Sequence, residues 1–156
     1  MAALRSRFSL ARLKKDDRGA ELIEFAIVFP IFMVVVAAML DFGFLFQRYE
    51  VVTNAAREGA RLAVLNNQGY TVDDIRARIQ NYMTAGGLTG SYPAPDVTYG
   101  TETLPSGLTI QTVKVLVQYP SSFVIMAPFA GLIGGAAPGT ITLKAASVMR
   151  VEVPGS

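Results

Sequence analysis

The stretch that decides the fold is FAIVFPIFMVVVAAMLDFGFLF, residues 25–46, in which Asp41 is the only charged residue. As a helix its 22 residues span roughly 33 Å, enough to cross a hydrocarbon layer of about 30 Å. If Asp41 lies at the far interface, the uncharged part from Phe25 to Leu40 is short, and local thinning of the bilayer would be needed. Pro30 predicts a kink within the helix, which membrane helices tolerate. The sequence therefore predicts one membrane-spanning helix.

Basic residues are concentrated before this helix. Residues 1–19 contain six Arg or Lys and two Asp, whereas the remainder has eight basic and ten acidic residues. The positive-inside rule then places the N-terminus in the cytoplasm and everything after Phe46 outside it. Because a nucleic-acid-binding surface needs basic residues clustered on the folded part, we expect no nucleic-acid partner.

The chain contains neither Cys nor His. This excludes disulfides, the usual zinc sites and triads built on Cys or His. The carboxylates outside the helix are scattered, and no spacing among them is typical of an active site; they are Asp73, Asp74, Asp96, Glu102 and Glu152. We therefore expect no enzymatic activity, no metal, no cofactor and no small-molecule substrate.

Three interpretations compete for the N-terminal segment: a plain signal-anchor, a cleaved secretory signal and a prepilin-type leader. A secretory cleavage site at residues 36–38 would divide the apolar segment, which disfavours the second. In RGAELIEFAIVFP, residues 18–30, Gly19 ends the basic leader and Glu24 stands five residues later. A carboxylate at the entrance of an apolar helix is unfavourable, and this favours the third interpretation. The alternative for Glu24 is an interfacial anion stabilised by the helix dipole.

Residues 47–67 continue with helical periodicity as an amphipathic helix. The predicted apolar face comprises Leu45, Tyr49, Val52, Ala56, Gly59, Ala60 and Ala63. The last four of these are small, so another backbone can approach the helix closely. Two interpretations remain open for this packing face: a contact with other subunits, or the core of the protein's own domain.

A second helix is predicted over residues 72–85, with Thr71 as the N-cap and with Gly86 and Gly87 ending it. Its narrow apolar stripe predicts core packing and consists of Ile75, Ile79 and Met83.

The C-terminal part predicts antiparallel strands, because apolar and polar residues alternate at residues 113–118 and 141–153, with a shorter strand at 97–99. The predicted fold class is α+β: a long N-terminal transmembrane and amphipathic helix, a small antiparallel sheet and one short extra helix. The apolar residues 123–133 are too few to span a bilayer. We expect them to pack in the core or near the membrane; a dedicated binding loop is the alternative.

Two strings carry a family resemblance: IEFAIVFP, residues 23–30, and DFGFLFQRYEVVTNAAREGARLAV, residues 41–64. In this order they resemble the N-terminal region of TadE-like pseudopilins, the minor pilins of Tad/Flp pilus assembly systems. The resemblance covers roughly Arg18 to Val64.

The resemblance implies cleavage by a prepilin peptidase after Gly19, so that the mature chain begins at Ala20. It also implies that Glu24 pairs with the freed amino group as subunits pack in the membrane. The implied partners are the peptidase, other pilin and pseudopilin subunits of a Tad-type pilus, and inner-membrane lipids. The chain would then consist of a basic leader (1–19), a transmembrane helix (20–46), its amphipathic continuation (47–67) and a periplasmic α+β domain (68–156).

The rival hypothesis is a single-pass anchored periplasmic domain with a binding or adhesive role, which is never processed and never polymerises.

Overall fold

The N-terminal half of the chain is one long helix. The computed structural model of the protein describes residues 17–65, 69–132, 135 and 139–151. Helix α1, Asp17–Val64, contains 48 residues and is roughly 72 Å long at the helical rise. It joins the predicted span and its continuation without a break, which confirms one long helix. The helix ends at Val64, and residues 66 and 67, where the prediction placed its end, lie outside the described residues. The first 16 residues of the predicted leader lie outside the described residues.

Helix α2, Val72–Ala85, has the predicted bounds. Thr71 is its N-cap: the Thr71 hydroxyl accepts a hydrogen bond from the backbone N–H of Asp74 at 3.3 Å, and the Asp74 carboxylate accepts one from the backbone N–H of Thr71 at 2.8 Å. The Asp74 carboxylate also accepts a hydrogen bond from the Thr71 hydroxyl at 2.7 Å. This bond, together with the one from the backbone N–H of Thr71, holds the pKa of Asp74 below its ordinary value. Gly86 ends the helix, and its N–H donates to the carbonyl of Tyr82 at 3.0 Å. The reciprocal cap satisfies donors that a helix start otherwise leaves free.

Three antiparallel strands follow, in the order β1-β2-β3: β1 Asp96–Thr103, β2 Thr109–Ser121 and β3 Ile141–Arg150. The central strand is β2, in which Val115 lies opposite Val97 on β1 and Ser147 on β3. All three predicted strands are confirmed, and β1 and β2 are longer than predicted. The end predicted for the third strand, residues 152 and 153, lies outside the described residues.

The core lies between one face of the sheet and the two helices. From α1 it contains Val52, Ala55, Ala56, Ala60 and Ala63; from α2 it contains Ile75, Ile79 and Met83; and from the sheet it contains Val113, Val115, Val117 and Ala145. The predicted α2 stripe is thus fully buried. Because α1 contributes mainly alanines, its backbone lies close to the strands, and the larger side chains of β2 and α2 fill the space between them.

Two residues on α1 differ from the pattern predicted for its apolar face. Tyr49 is 44% exposed, whereas Ala55, which was not predicted, is buried. Tyr49 lies beside Arg48, which contacts Ser121 at the end of β2, so the sheet covers little of the helix at this level. The predicted apolar face of α1 is therefore wrong at Tyr49, because the sheet no longer covers the helix at that residue.

An ion-pair cluster joins the outer surfaces of α1 and α2. Glu58 accepts hydrogen bonds from Arg61 at 3.0 Å and from Arg78 of α2 at 2.7 Å. The hydrogen bonds from Arg61 and Arg78 lower the pKa of Glu58 to about 2, so its carboxylate stays charged at any ordinary pH. Such exposed pairs add little to stability, but the Glu58–Arg78 pair also fixes how the two helices align.

Gly59 allows α1 and α2 to approach. A Cβ at this position would lie 2.5 Å from Cδ1 and 2.6 Å from Cγ1 of Ile79, with Val115 Cγ1 at 3.4 Å. We expect Gly59→Ala to lower the free energy of unfolding by about 1–3 kcal/mol, the usual effect of overfilling a packed core. Circular dichroism during thermal unfolding of the full chain in detergent measures this change.

Gly43→Ala, on the same helix, is the matched control, because a Cβ at this position would meet nothing within 4 Å. It should leave the melting temperature unchanged or raise it, since alanine favours helix more than glycine does. Equal melting temperatures for the two variants would contradict the close approach at Gly59.

Candidate functional site: the apolar helix and its clamp

The first half of α1 presents an apolar surface that the domain does not cover. Large apolar side chains project from it on every side and are exposed, among them Leu22, Ile23, Phe25, Ile27, Ile31, Phe32, Met39 and Phe42. Among the described residues, α1 is the one helix long and apolar enough to cross a membrane by length and composition. A helix that is apolar all round is typical of a membrane span and unfavourable in water.

The predicted processing and assembly residues lie at the start of this helix. Gly19, Ala20 and Glu24 are all exposed within its first turns. Ala20 and Glu24 are four residues apart, so they lie one turn apart on the same side of the helix. Their Cβ atoms are therefore roughly 5–6 Å apart, and a cut after Gly19 would create the new amino group one turn before Glu24.

Pro30 lies inside α1, which continues through it. Proline has no N–H, so the carbonyl of Ala26 loses its usual donor one turn earlier. Phe25 and Phe29 stack on the preceding turn with their ring centroids 5.2 Å apart. The kink at Pro30 stays a prediction.

The small residues predicted as a packing face lie in the second half of α1. Ala56, Gly59, Ala60 and Ala63 are buried by α2 and the sheet of the same chain. Of the two interpretations left open by the sequence, their burial favours the domain's own core over a surface for other subunits.

Asp41, the lone charge of the apolar stretch, is buried, with only 4% of its surface exposed. Its carboxylate accepts hydrogen bonds from three consecutive backbone N–H groups: Val124 at 3.0 Å, Ile125 at 3.0 and 3.1 Å, and Met126 at 2.7 Å. Met126 begins the short helix α3, Met126–Leu132. Asp41 therefore satisfies the donors at the start of α3, where helices leave N–H groups without partners and where the helix dipole favours an anion.

Arg48 makes a second attachment two turns further along the same side of α1. Its Nη1 donates to the hydroxyl of Ser121 at 2.7 Å and to the carbonyl of Ser122 at 3.2 Å. We call Asp41, Arg48 and residues 121–126 the clamp. Through these contacts, α1 holds the end of β2 and the start of α3. The two charged residues that make the contacts are seven positions apart.

The sequence did not predict the clamp. Asp41 was interpreted only as a marker of the far interface, and Arg48 was not singled out. A detectable signal exists: the one charge in an apolar stretch is followed at i+7 by an opposite charge, which is the spacing of one helix face. For the apolar residues 123–133, packing beside α1 is observed up to residue 132, and residues 133 and 134 lie outside the described part.

The fold and the clamp define a class of protein in which one apolar helix anchors a small α+β domain and also forms part of its core. Residues 19–61 match the family model described as TadE-like protein. This confirms the resemblance predicted from the sequence: over these residues of α1, the chain is similar to TadE-like proteins. The match covers the helix and does not extend to α2 or the sheet. No similar curated protein and no similar solved structure was found.

The clamp yields a direct test. Asp41→Ala removes the acceptor of three N–H groups, and leaving such donors unsatisfied costs about 1–3 kcal/mol. We expect residues 121–132 to detach from α1 and become accessible to chymotrypsin at Phe123 and Phe129, which mass spectrometry of the fragments would detect.

Asp41→Asn keeps one acceptor oxygen and should be cut more slowly than Asp41→Ala. Asp96→Ala removes an exposed carboxylate on β1 and is the matched control for loss of charge. If the Asp41→Ala variant resisted chymotrypsin as well as the Asp96→Ala variant does, the clamp would not be what holds residues 121–132 on α1.

Proposed function

We propose that this protein is a pseudopilin or minor pilin that takes part in the assembly of a Tad-type (Flp, type IVb-like) pilus. The observation that carries the proposal is the match of residues 19–61 to the TadE-like family. Proteins of this family are generally structural and not enzymatic. The all-round apolar surface of α1 supports the same role, because it suits a helix that lies first in lipid and then among other helices.

We further propose a topology with the N-terminus in the cytoplasm of a bacterium and the domain in the periplasm. The support is the distribution of charge: six basic residues precede the helix, and the remainder is mildly acidic. This distribution supports a single span through the inner membrane. Whether the subunit then enters the pilus or only primes its assembly is a separate question that the charge distribution does not address.

Processing after Gly19 is the next part of the proposal. Gly19 and Ala20 lie at the exposed start of α1, where a membrane peptidase can reach them. Glu24 is one turn from the new terminus, and an opposite charge on a neighbouring subunit would offset the unfavourable placement of its carboxylate in lipid. In this way the partners of the helix would be other pilin and pseudopilin subunits.

The alternative function is an unprocessed, anchored periplasmic domain with a binding or adhesive role. Intact-mass analysis of the membrane-extracted protein separates the two. A chain beginning at Ala20, formed only in the presence of a prepilin peptidase, supports the pseudopilin, and a chain with its full leader supports the alternative.

Gly19→Leu should block processing, because the resemblance to prepilin-like proteins implies a cut after glycine, while membrane insertion stays intact. The measurement is the mass of the extracted protein when it is co-expressed with the peptidase. Gly43→Leu, at an open position of the same helix, is the matched control and should be processed normally. An Ala20 terminus in Gly19→Leu protein would refute the site.

Glu24→Ala should leave insertion intact and reduce co-purification with partner pilins, because it removes one half of an ion pair and no apolar length. Glu21→Ala, an exposed carboxylate one turn away, is the matched control and should assemble as the unmodified protein does. Pairing by Glu24 would be wrong if both variants retained their partners equally well.

A further inference from the structure

The segment that follows β2 carries no charged side chain. No charged residue occurs between Lys114 and Lys144, and this is the longest uncharged stretch in the chain. Within it, α3 and the residues just before it expose apolar surface: Val124 is 55% exposed, and Pro128 is also exposed. An exposed apolar segment next to an apolar span needs a partner that is itself apolar.

The clamp fixes where this segment lies along α1. Asp41 is 16 residues after Phe25, roughly 24 Å at the helical rise. If the hydrocarbon layer begins at Phe25 and is about 30 Å thick, Asp41 lies roughly 6 Å inside its far boundary. The N–H groups of residues 124–126 bind Asp41 directly, so the start of α3 lies at the same depth.

The position of Arg48 along α1 is consistent with this depth. It lies seven residues beyond Asp41, roughly 10 Å further along the axis, which places it among the lipid headgroups. Its contacts with Ser121 and the carbonyl of Ser122 then hold the end of β2 at that level. The chain passes from the headgroup level at Ser121 to the apolar level at Val124 within three residues.

The hydrogen bonds to Asp41 are those that such a depth requires. In hydrocarbon no water is present to bind the free N–H groups of a helix start, and each unsatisfied group is strongly destabilising. Asp41 accepts all three, and the N–H groups in turn satisfy its carboxylate. The side chain and the helix start can therefore enter the apolar layer together.

We propose that residues 123–131 lie in the outer part of the bilayer beside α1, so that the protein contacts lipid at two places: the span and α3. The proposal rests on the proposed membrane span of α1. The occupant of the apolar surface is the acyl-chain region of the leaflet that faces the domain, since the clamp holds this surface beside α1 next to the exposed side chains of the span, Met39 and Phe42. A second subunit on the same surface is the competing outcome.

Depth-dependent fluorescence quenching tests the proposal. The chain has no cysteine, so single-cysteine variants can each carry one environment-sensitive fluorophore. Val124→Cys and Pro128→Cys report on the segment, Phe32→Cys reports on the span, and Thr101→Cys on β1 reports on water. Each full-length variant is placed, one chain per disc, in nanodiscs of phosphatidylethanolamine and phosphatidylglycerol with nitroxide-labelled lipids. Two positions in the segment guard against a variant that does not fold.

We expect labels at 124 and 128 to lose fluorescence with nitroxides placed near the headgroup and to resist aqueous iodide. The label at 32 should lose most fluorescence with nitroxides deep in the acyl chains, and the label at 101 should respond to iodide alone. Iodide quenching at 124 and 128 equal to that at 101 would overturn the proposal.

Two further outcomes are distinct. Labels at 124 and 128 shielded from both quenchers would mean that protein, and not lipid, covers the segment, which also overturns the proposal. Failure of lipid quenching at 32 would refute the membrane span, and with it the proposed function of α1, whereas quenching at 32 without quenching at 124 and 128 would refute only the placement of α3.

Discussion

The apolar face of the three-stranded sheet must be buried against another element, and the main element here is the continuation of the apolar segment. The second half of α1 contributes Val52 and a row of alanines to the core, and the first half projects large apolar side chains outward. One helix thus presents two different surfaces: its second half is buried in the core of the domain, and its first half exposes apolar side chains. The domain is consequently not attached to the helix by a linker; the helix is part of the domain.

The change of environment along α1 occurs where its two charged clamp residues lie. An isolated carboxylate in an apolar stretch is unfavourable, but Asp41 is surrounded by three N–H donors from the chain 83 to 85 residues later. Arg48 binds the adjacent residues at the end of β2. The two side chains therefore hold residues 121–126 against α1.

Local signals were enough to predict most elements. Thr71, Asp74 and the pair Gly86–Gly87 act within one turn of the ends of α2, so its bounds follow from neighbouring residues, and the alternation of valines on β2 has a period of two whatever the rest of the chain does. The clamp was not predicted because it joins residues 83 to 85 positions apart. The i+7 spacing of Asp41 and Arg48 marks one face of α1, but it does not identify the residues that bind there. The exposure of Tyr49 depends on where the sheet stops. The roles of Gly19 and Glu24 involve other molecules, and the fold of one chain does not decide them.

The continuity of α1 between Asp41 and Val52 has a mechanical consequence. With no hinge between the span and the core, the domain and the apolar segment move as one rigid body, and a shift of the helix along its axis by one turn of about 5.4 Å lifts the domain by the same distance. If α1 spans a bilayer and α3 lies in its outer part as proposed, withdrawing the helix would also withdraw α3, and moving the domain toward the bilayer would move the helix inward. The distance between the domain and the membrane surface would therefore report the axial displacement of the helix.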